Sequence, residues 1–139
     1  MEKKDLIDEA RRYLDNARDT LKTNEEYDPV TRSYNDKKYV RAAGHYLWHA
    51  VMLALDAVFH VRDDRRTRID IDAYREAVRK RDRKLLTLVN TSYQILHIHM
   101  GYDGVLNKNV CDEGFHLTND IIDRCVRLRQ PQTHSEPLP

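Results

Sequence analysis

The stretch that decides the fold is residues 46–59, YLWHAVMLALDAVF, which is the longest mostly apolar run in the chain. Within these 14 residues only His49 and Asp56 are polar, so a helix formed here is apolar around most of its circumference. Such a helix belongs at the centre of a helical domain. The run is too short to cross a membrane, because a bilayer needs about 20 apolar residues.

Other helices flank this central one, each marked by apolar residues three and four positions apart. The first helix is predicted over residues 4–22, and the central helix over residues 35–61 with Asn35 or Asp36 as its cap. The third helix is predicted to begin at Asp70 or Asp72 and to end or kink within residues 79–84. The fourth and the last helix are predicted over residues 85–100 and 110–129. Gly101 is expected to end the fourth helix as a left-handed cap.

These segments predict an all-α fold, an antiparallel up-and-down bundle of four to five helices. The linker over residues 24–36 is polar, and its Asp28-Pro29 pair disfavours helix there. The bundle is predicted to be one domain over residues 1–129. A disordered tail with three prolines is expected over residues 130–139.

The composition of the 139 residues agrees with this fold class. Four Gly and four Pro are too few for the many turns of an all-β sandwich. The 24 basic and 23 acidic residues nearly cancel. Residues 62–84 carry ten basic and six acidic side chains, and this mixture is typical of a solvated surface. Nucleic acid is therefore not expected as a partner.

The N-terminal segment and the cysteines bear on location. MEKKDLIDEARRYL lacks the apolar stretch of a signal peptide. We therefore expect a cytoplasmic protein that does not associate with a membrane. In that compartment Cys111 and Cys125 are expected to be free thiols, buried for structural reasons.

The candidate functional residues begin with a stripe on the central helix. Arg41, His45, His49, Asp56 and His60 are spaced by four, four, seven and four residues, so they lie along one side of the helix. Three interpretations are open. The stripe is a solvent-facing seam or a satisfied buried polar network, or a small-molecule or anion site, or a metal site in which His45 and His49 bind with a third ligand. No catalytic residue and no cofactor is predicted.

Four further residues complete the predicted ligand site. Trp48 lies beside the stripe, His97 belongs to a Leu-His-Ile-His segment, and Tyr102 and Asp103 follow the fourth helix. Each position also has a structural interpretation. Trp48 beside apolar neighbours is typical of a core, and Tyr102 and Asp103 can belong to a capping loop.

Two segments carry a resemblance to a known family. KKYVRAAGHYLWHAVMLALDA (37–57) and YQILHIHMGYDGVLNKNVCDEGF (93–115) resemble an uncharacterised helical family of Bacteroidetes-type bacteria. The shared patterns fall on Lys38, Tyr39, Val40, Ala43, Gly44, His45 and Trp48, and on Leu96, His97, Tyr102, Asp103 and Gly104. This resemblance implies a helical fold and no particular activity.

More distantly, the bundle is similar to the HEPN superfamily, which includes RNA-cleaving toxins and nonenzymatic partners of nucleotidyltransferases. That resemblance implies an Arg-x4–6-His motif in its ribonucleases. The sequence offers Arg127 or Arg129 with His134, but Pro131 lies between them and breaks a helical frame.

The predicted function is that of a non-enzymatic binding or interaction module, which either binds a small ligand or partners another protein. A HEPN-type ribonuclease or toxin component is the alternative, and a metal-binding bundle is a third. A homodimer is also expected, because apolar residues on two sides of the central helix exceed what a small bundle covers. These residues are Trp48, Met52, Leu55 and Phe59 on one side and Leu47, Val51, Ala54 and Val58 on the other.

Overall fold

Helices make up most of the chain in the computed structural model, which describes residues 5–62 and 68–129. They are α1 (Leu6–Asn24), α2 (Lys37–Phe59), α3 (Ile71–Arg79), α4 (Arg83–Ser92) and α5 (Lys108–Arg129), with a π-helical segment (Tyr93–Tyr102, the π segment) directly after α4. The predicted all-α bundle is confirmed. No helix in these ranges has the length and apolar character needed to cross a membrane. The predicted tail over 130–139 lies outside the described residues, and the extent of the domain stays a prediction.

The central position predicted for α2 is confirmed by its packing. α1, the π segment and α5 all pack against it. Most of its two apolar sides is covered, since Trp48 is 7% exposed and Leu47, Val51, Met52 and Leu55 are fully buried, while Val58 and Phe59 at its end are partly exposed. The bundle therefore covers most of the apolar surface from which the homodimer was predicted. The homodimer itself stays a prediction.

Aspartate side chains cap the starts of four helices, where backbone N–H groups lack partners within the helix. Asp5 accepts from the N–H of Ile7 at 2.8 Å. The other three caps are Asp36 on α2, Asp70 on α3 and Asp82 on α4. The sequence left Asn35 or Asp36 open as the cap of α2, and the cap is Asp36. For α3 it left Asp70 or Asp72 open, and the cap is Asp70.

The linker between α1 and α2 contains a small antiparallel hairpin that the sequence did not predict. Its strands are β1 (Tyr27–Asp28) and β2 (Ser33–Tyr34). Asp28 accepts from the N–H of Val30 at 2.8 Å, which tightens the turn. Two-residue strands are too short to show an alternating pattern, so periodicity could not find them.

The prediction that Gly101 caps a helix in a left-handed conformation is wrong. The π segment continues through Gly101 to Tyr102, and the glycine with a positive φ is Gly104 (φ 65°). Gly101 instead lies where the π segment crosses α2 at close range. A Cβ at Gly44 of α2 would stand 2.6 Å from the backbone nitrogen of Gly101, inside the normal contact distance.

Candidate functional site

Five of the eight predicted ligand residues lie along one seam between α2 and the π segment. Arg41 Nε donates to the backbone oxygen of Tyr102 at 3.1 Å. The rings of Trp48 and His97 have centroids 5.6 Å apart. His45, one turn after Arg41, places its imidazole against the backbone of the π segment. We call these five residues the α2–π seam.

Gly44 explains why α2 and the π segment approach so closely. A Cβ at Gly44 would lie 2.6 Å from the backbone nitrogen of Gly101 and 2.7 Å from Cβ of Met100, so only a hydrogen atom fits there. The Ala-Gly-His pattern of the sequence therefore has a packing role at its glycine.

The other histidine of the stripe, His49, lies on the side of α2 that faces α1. Its exposed ring stacks on Tyr13, with centroids 5.5 Å apart and an interplanar angle of 18°. Burial, followed by the nearby charges of Arg62 and His45, lowers the pKa of His49 below its usual value. Burial and His45 also lower the pKa of His97. Both rings are therefore held towards the neutral form.

Asp103 lies just beyond the π segment and pairs weakly with a neighbour. Its Oδ2 is 3.9 Å from Nδ1 of His99, and both side chains are about half exposed. Pairs of this kind contribute little to stability. Asp103 is thus an accessible carboxylate at the end of the seam.

Asp56 is separated from the seam and lies in the interior. Its carboxylate accepts from the Tyr74 hydroxyl at 2.8 Å and from Arg62 Nε at 3.0 Å. The Arg62 and Asp56 side chains are 5% and 3% exposed, so this is a buried ion pair. Burial and the bond to Asp56 raise the pKa of Tyr74. The carboxylate is occupied by protein groups and joins the end of α2 to α3.

The described residues, 5–62 and 68–129, offer few side chains that could bind a metal ion together. No group of three His, Cys, Asp or Glu side chains there is placed to hold an ion. Cys111 and Cys125 are buried, and burial raises the pKa of each thiol to about 12. Thiols of this kind stay protonated at neutral pH and are poor nucleophiles.

A concave site lies elsewhere, between the end of α1, the β1–β2 hairpin and the start of α5. This cleft has a volume of about 480 Å³. Its lining combines aromatic, basic and acidic side chains. They are Arg18, Leu21, Lys22, Glu25, Tyr27, Tyr34, Lys108, Asp112, Phe115 and His116.

Backbone hydrogen bonds fix the hairpin that forms one wall of the cleft. The N–H of Tyr34 donates to the oxygen of Leu106, and the N–H of Lys108 donates to the oxygen of Arg32, each at 2.9 Å. The hairpin is therefore tied to the segment that leads into α5.

Glu25 fixes the same hairpin to the end of α1. Its Oε1 accepts from the N–H groups of Asn35 at 3.0 Å and Asp36 at 2.8 Å. Its Oε2 is buried and makes no hydrogen bond. Burial raises the pKa of the Glu25 carboxyl. The carboxyl group supports the wall from behind.

Some charged side chains of the cleft already have a partner within the protein, and others do not. Lys108 Nζ lies 2.7 Å from Asp112 and 5.5 Å from the ring centre of Tyr27. By contrast, Lys22 and His116 have no hydrogen bond or ion pair in the part of the chain that the structure describes. Two basic side chains on opposite walls therefore remain available.

Aromatic rings supply the apolar surface of the cleft. Arg18 lies over the ring of Phe115, with its guanidinium carbon 5.7 Å from the centroid. The rings of Tyr27 and Tyr34 are 6.1 Å apart. Burial, followed by nearby negative charge including that of Asp112, raises the pKa of Tyr34 to about 12. Tyr34 is therefore a neutral phenol at physiological pH.

The cleft could not be predicted from the sequence because its residues come from three separate segments. One signal was present. The linker carries Tyr27 and Tyr34, two aromatic residues in an otherwise polar stretch, and large rings in a loop favour contact with a ligand or with the domain. Nothing in the spacing of α5 indicated that Phe115 and His116 would face them.

Comparisons with known proteins identify relatives without an assigned activity. A family model described as "Domain of unknown function (DUF5618)" matches residues 5–127. A solved structure, described as a protein of unknown function from Dyadobacter fermentans, is 35% identical. The match covers 88% of this chain and 93% of that one, with a TM-score of 0.77. A search of curated proteins gave no match.

Proposed function

This chain belongs to the DUF5618 family of domains of unknown function, and from that premise we propose that it is a binding module that holds a small molecule in the cleft between α1, the β1–β2 hairpin and α5. The observation that carries the proposal is the cleft of about 480 Å³ itself. Pockets for small ligands have volumes of roughly 300–1,000 Å³, with mostly apolar walls and a few polar groups.

The hairpin supports this function because Tyr27 and Tyr34 of its two strands line the cleft. It is held at both sides, by the backbone bonds of Tyr34 and Lys108 and by the carboxylate of Glu25. A wall fixed in this way pre-organises the cleft, and less ordering entropy is lost when a ligand binds.

The seam is a second candidate site, and one observation favours it. The π segment is ten residues long, whereas π-helical turns are rare and are frequent at functional sites. Arg41, His45, His97 and Tyr102 are exposed beside it. A small anion would meet the positive charge of Arg41 there, beside the neutral ring of His97.

The HEPN-type ribonuclease receives no support from the described residues. Arg127 and Arg129 lie at the end of α5, and Arg129 pairs with Asp5 at 2.9 Å. The histidine of the expected motif, His134, lies outside the described residues. Binding of a protein partner and binding of a metal ion also remain predictions.

The proposed function is tested by screening aromatic fragments for a rise in melting temperature. Ligands that bind the folded state stabilise it, so fragments that enter the cleft raise the melting temperature of the wild-type protein. The variant His116→Trp places a large ring on an exposed cleft position. We expect this variant to lose the response.

The matched control is His99→Trp, because His99 is also exposed but lies on the π segment. This variant keeps the wild-type response if the cleft is the site. Fragments that stabilise His116→Trp as much as the wild type contradict the proposal.

A further inference from the structure

We propose that the ligand of the cleft is an aromatic anion, with its ring against Phe115 and Tyr34 and its acid group between Lys22 and His116. This inference rests on the proposed function and names the chemical class of the ligand. The inference is based on the charged side chains of the cleft, because some of them already have an ion pair or hydrogen bond within the protein and others do not.

Charge is distributed unevenly along the cleft. α1 and α5 run antiparallel here, because Arg18 lies near Phe115 while Tyr27, just after α1, lies near Lys108. One end of the cleft therefore holds Arg18 and, on α5, His116, and Lys22 lies one turn further along α1, between this end and Glu25. The carboxylates of the lining lie towards the other end, which is closed by the hairpin.

The basic end is open to a new partner. Lys22 is exposed and has no ion pair in the described ranges, and the same holds for His116 on the opposite wall. Arg18 makes only a long, exposed ion pair with Asp15 (3.6 Å). Pairs of that kind have little net energy, so an incoming acid group can replace this one.

The acidic end is closed to a cationic ligand. Asp112 is held by Lys108 at 2.7 Å. Oε1 of Glu25 accepts from two backbone N–H groups, and Oε2 is buried and therefore not accessible to a ligand. Neither carboxylate is free to bind an ammonium group, whereas the ammonium group of Lys22 and a ring N–H of His116 are free to bind an acid.

The ring preference follows from the walls. Phe115 and Tyr34 are half-buried and keep part of their rings accessible, and Leu21 adds an apolar side chain between α1 and α5. A planar ring gains both apolar burial and stacking against such walls. A small inorganic anion makes neither contact.

Three probes of one shape separate the chemical classes. Naphthylacetate carries a negative charge, naphthylmethanol is neutral and naphthylmethylamine carries a positive charge. Isothermal titration with the full chain measures each dissociation constant. We expect naphthylacetate to bind tightest, by about two- to fivefold over naphthylmethanol, which is the range of one exposed ion pair. Naphthylmethylamine is expected to bind weakest.

Two matched variants locate the acid group. Lys22→Gln is expected to weaken naphthylacetate about two- to fivefold and to leave naphthylmethanol unchanged. Lys80→Gln removes an equally exposed lysine outside the cleft. It is expected to change neither constant, and circular dichroism checks that both variants are folded.

The outcomes distinguish this inference from the proposed function. If naphthylmethanol or naphthylmethylamine binds as tightly as naphthylacetate, the proposal of an anionic ligand is wrong, whereas the proposal that the protein is a binding module is unaffected. The same holds if Lys22→Gln weakens all three probes equally. If no probe binds, or if His116→Trp does not affect binding, the proposed function fails together with the inference.

Discussion

At the scale of single residues, the polar positions in the apolar run of α2 have different roles. Asp56 is buried and bonded to Arg62 and Tyr74, whereas His49 faces solvent and stacks on Tyr13. The sequence could not separate them, because both positions lie on one side of a helix and differ only in what the rest of the chain places over them.

Removal of the Asp56 carboxylate is expected to be costly. In Asp56→Ala, the guanidinium of Arg62 stays buried without its counter-charge, and breaking such a pair costs about 3–5 kcal/mol. Urea unfolding of the variant and of the wild type measures the difference in the free energy of unfolding.

The control for this prediction is His45→Ala, because His45 is exposed on the same helix. Its free energy of unfolding should change by about 0.5 kcal/mol or less, as at ordinary surface sites. Equal losses in the free energy of unfolding of both variants would show that the network around Asp56 stabilises the fold no more than an exposed histidine does.

Stability is expected to depend on pH through two histidines. The pKa values of His49 and His97 are lowered from 6.5 in the folded chain, so the unfolded chain binds more protons just below that pH. The stabilisation is fully present above pH 6.5 and is lost as the pH falls towards the folded pKa values. Urea unfolding between pH 7.5 and 5 measures this slope.

The double variant His49→Gln/His97→Gln removes both titrating groups. Its free energy of unfolding should vary less over the same pH range than that of the wild type. A slope identical to that of the wild type would mean that other groups cause the pH dependence. Glu25, whose pKa is raised, acts with the opposite sign and nearer pH 4.5.

At the scale of elements, the crossing of α2 and the π segment depends on one hydrogen atom. Replacing glycine with alanine inside a helix normally stabilises a protein by about 0.5–1 kcal/mol. At Gly44 the added methyl group would stand 2.6 Å from the backbone of Gly101, and overpacking of this kind costs about 1–3 kcal/mol.

The sign of the change in Gly44→Ala therefore tests the crossing. A lower melting temperature than that of the wild type agrees with the packing described. A higher one would show that α2 and the π segment are further apart. Ala42→Gly, at a half-buried position of the same helix, controls for the intrinsic effect of glycine.

The starts of α2 and α3 could be narrowed to two residues each from the sequence, and the connections between helices could not be predicted. Aspartate caps act through their own side chains, so Asp36 and Asp70 were visible as local signals. The π segment and the hairpin depend on distant partners, such as Gly44 for the first and Leu106 for the second. Local periodicity contains no information about these partners.

At the scale of the whole molecule, the bundle buries most of α2, so the two candidate sites lie at the surface, one beside the exposed side of α2 and one at the end of α1. The seam could be partly predicted, because its α2 residues are four and three positions apart and share a face. The cleft could not be predicted. It exists only where the end of α1, the hairpin and the start of α5 meet.

The central claim is that the cleft, and not the seam, binds a small molecule. The most direct test is an NMR titration of the isotope-labelled chain with the aromatic fragment that raises the melting temperature most. A ligand in the cleft is expected to shift the amide signals of residues 18–27, 34 and 108–116 most. Shifts concentrated in residues 41–49 and 93–103 would place the site at the seam and show that the cleft is not the binding site.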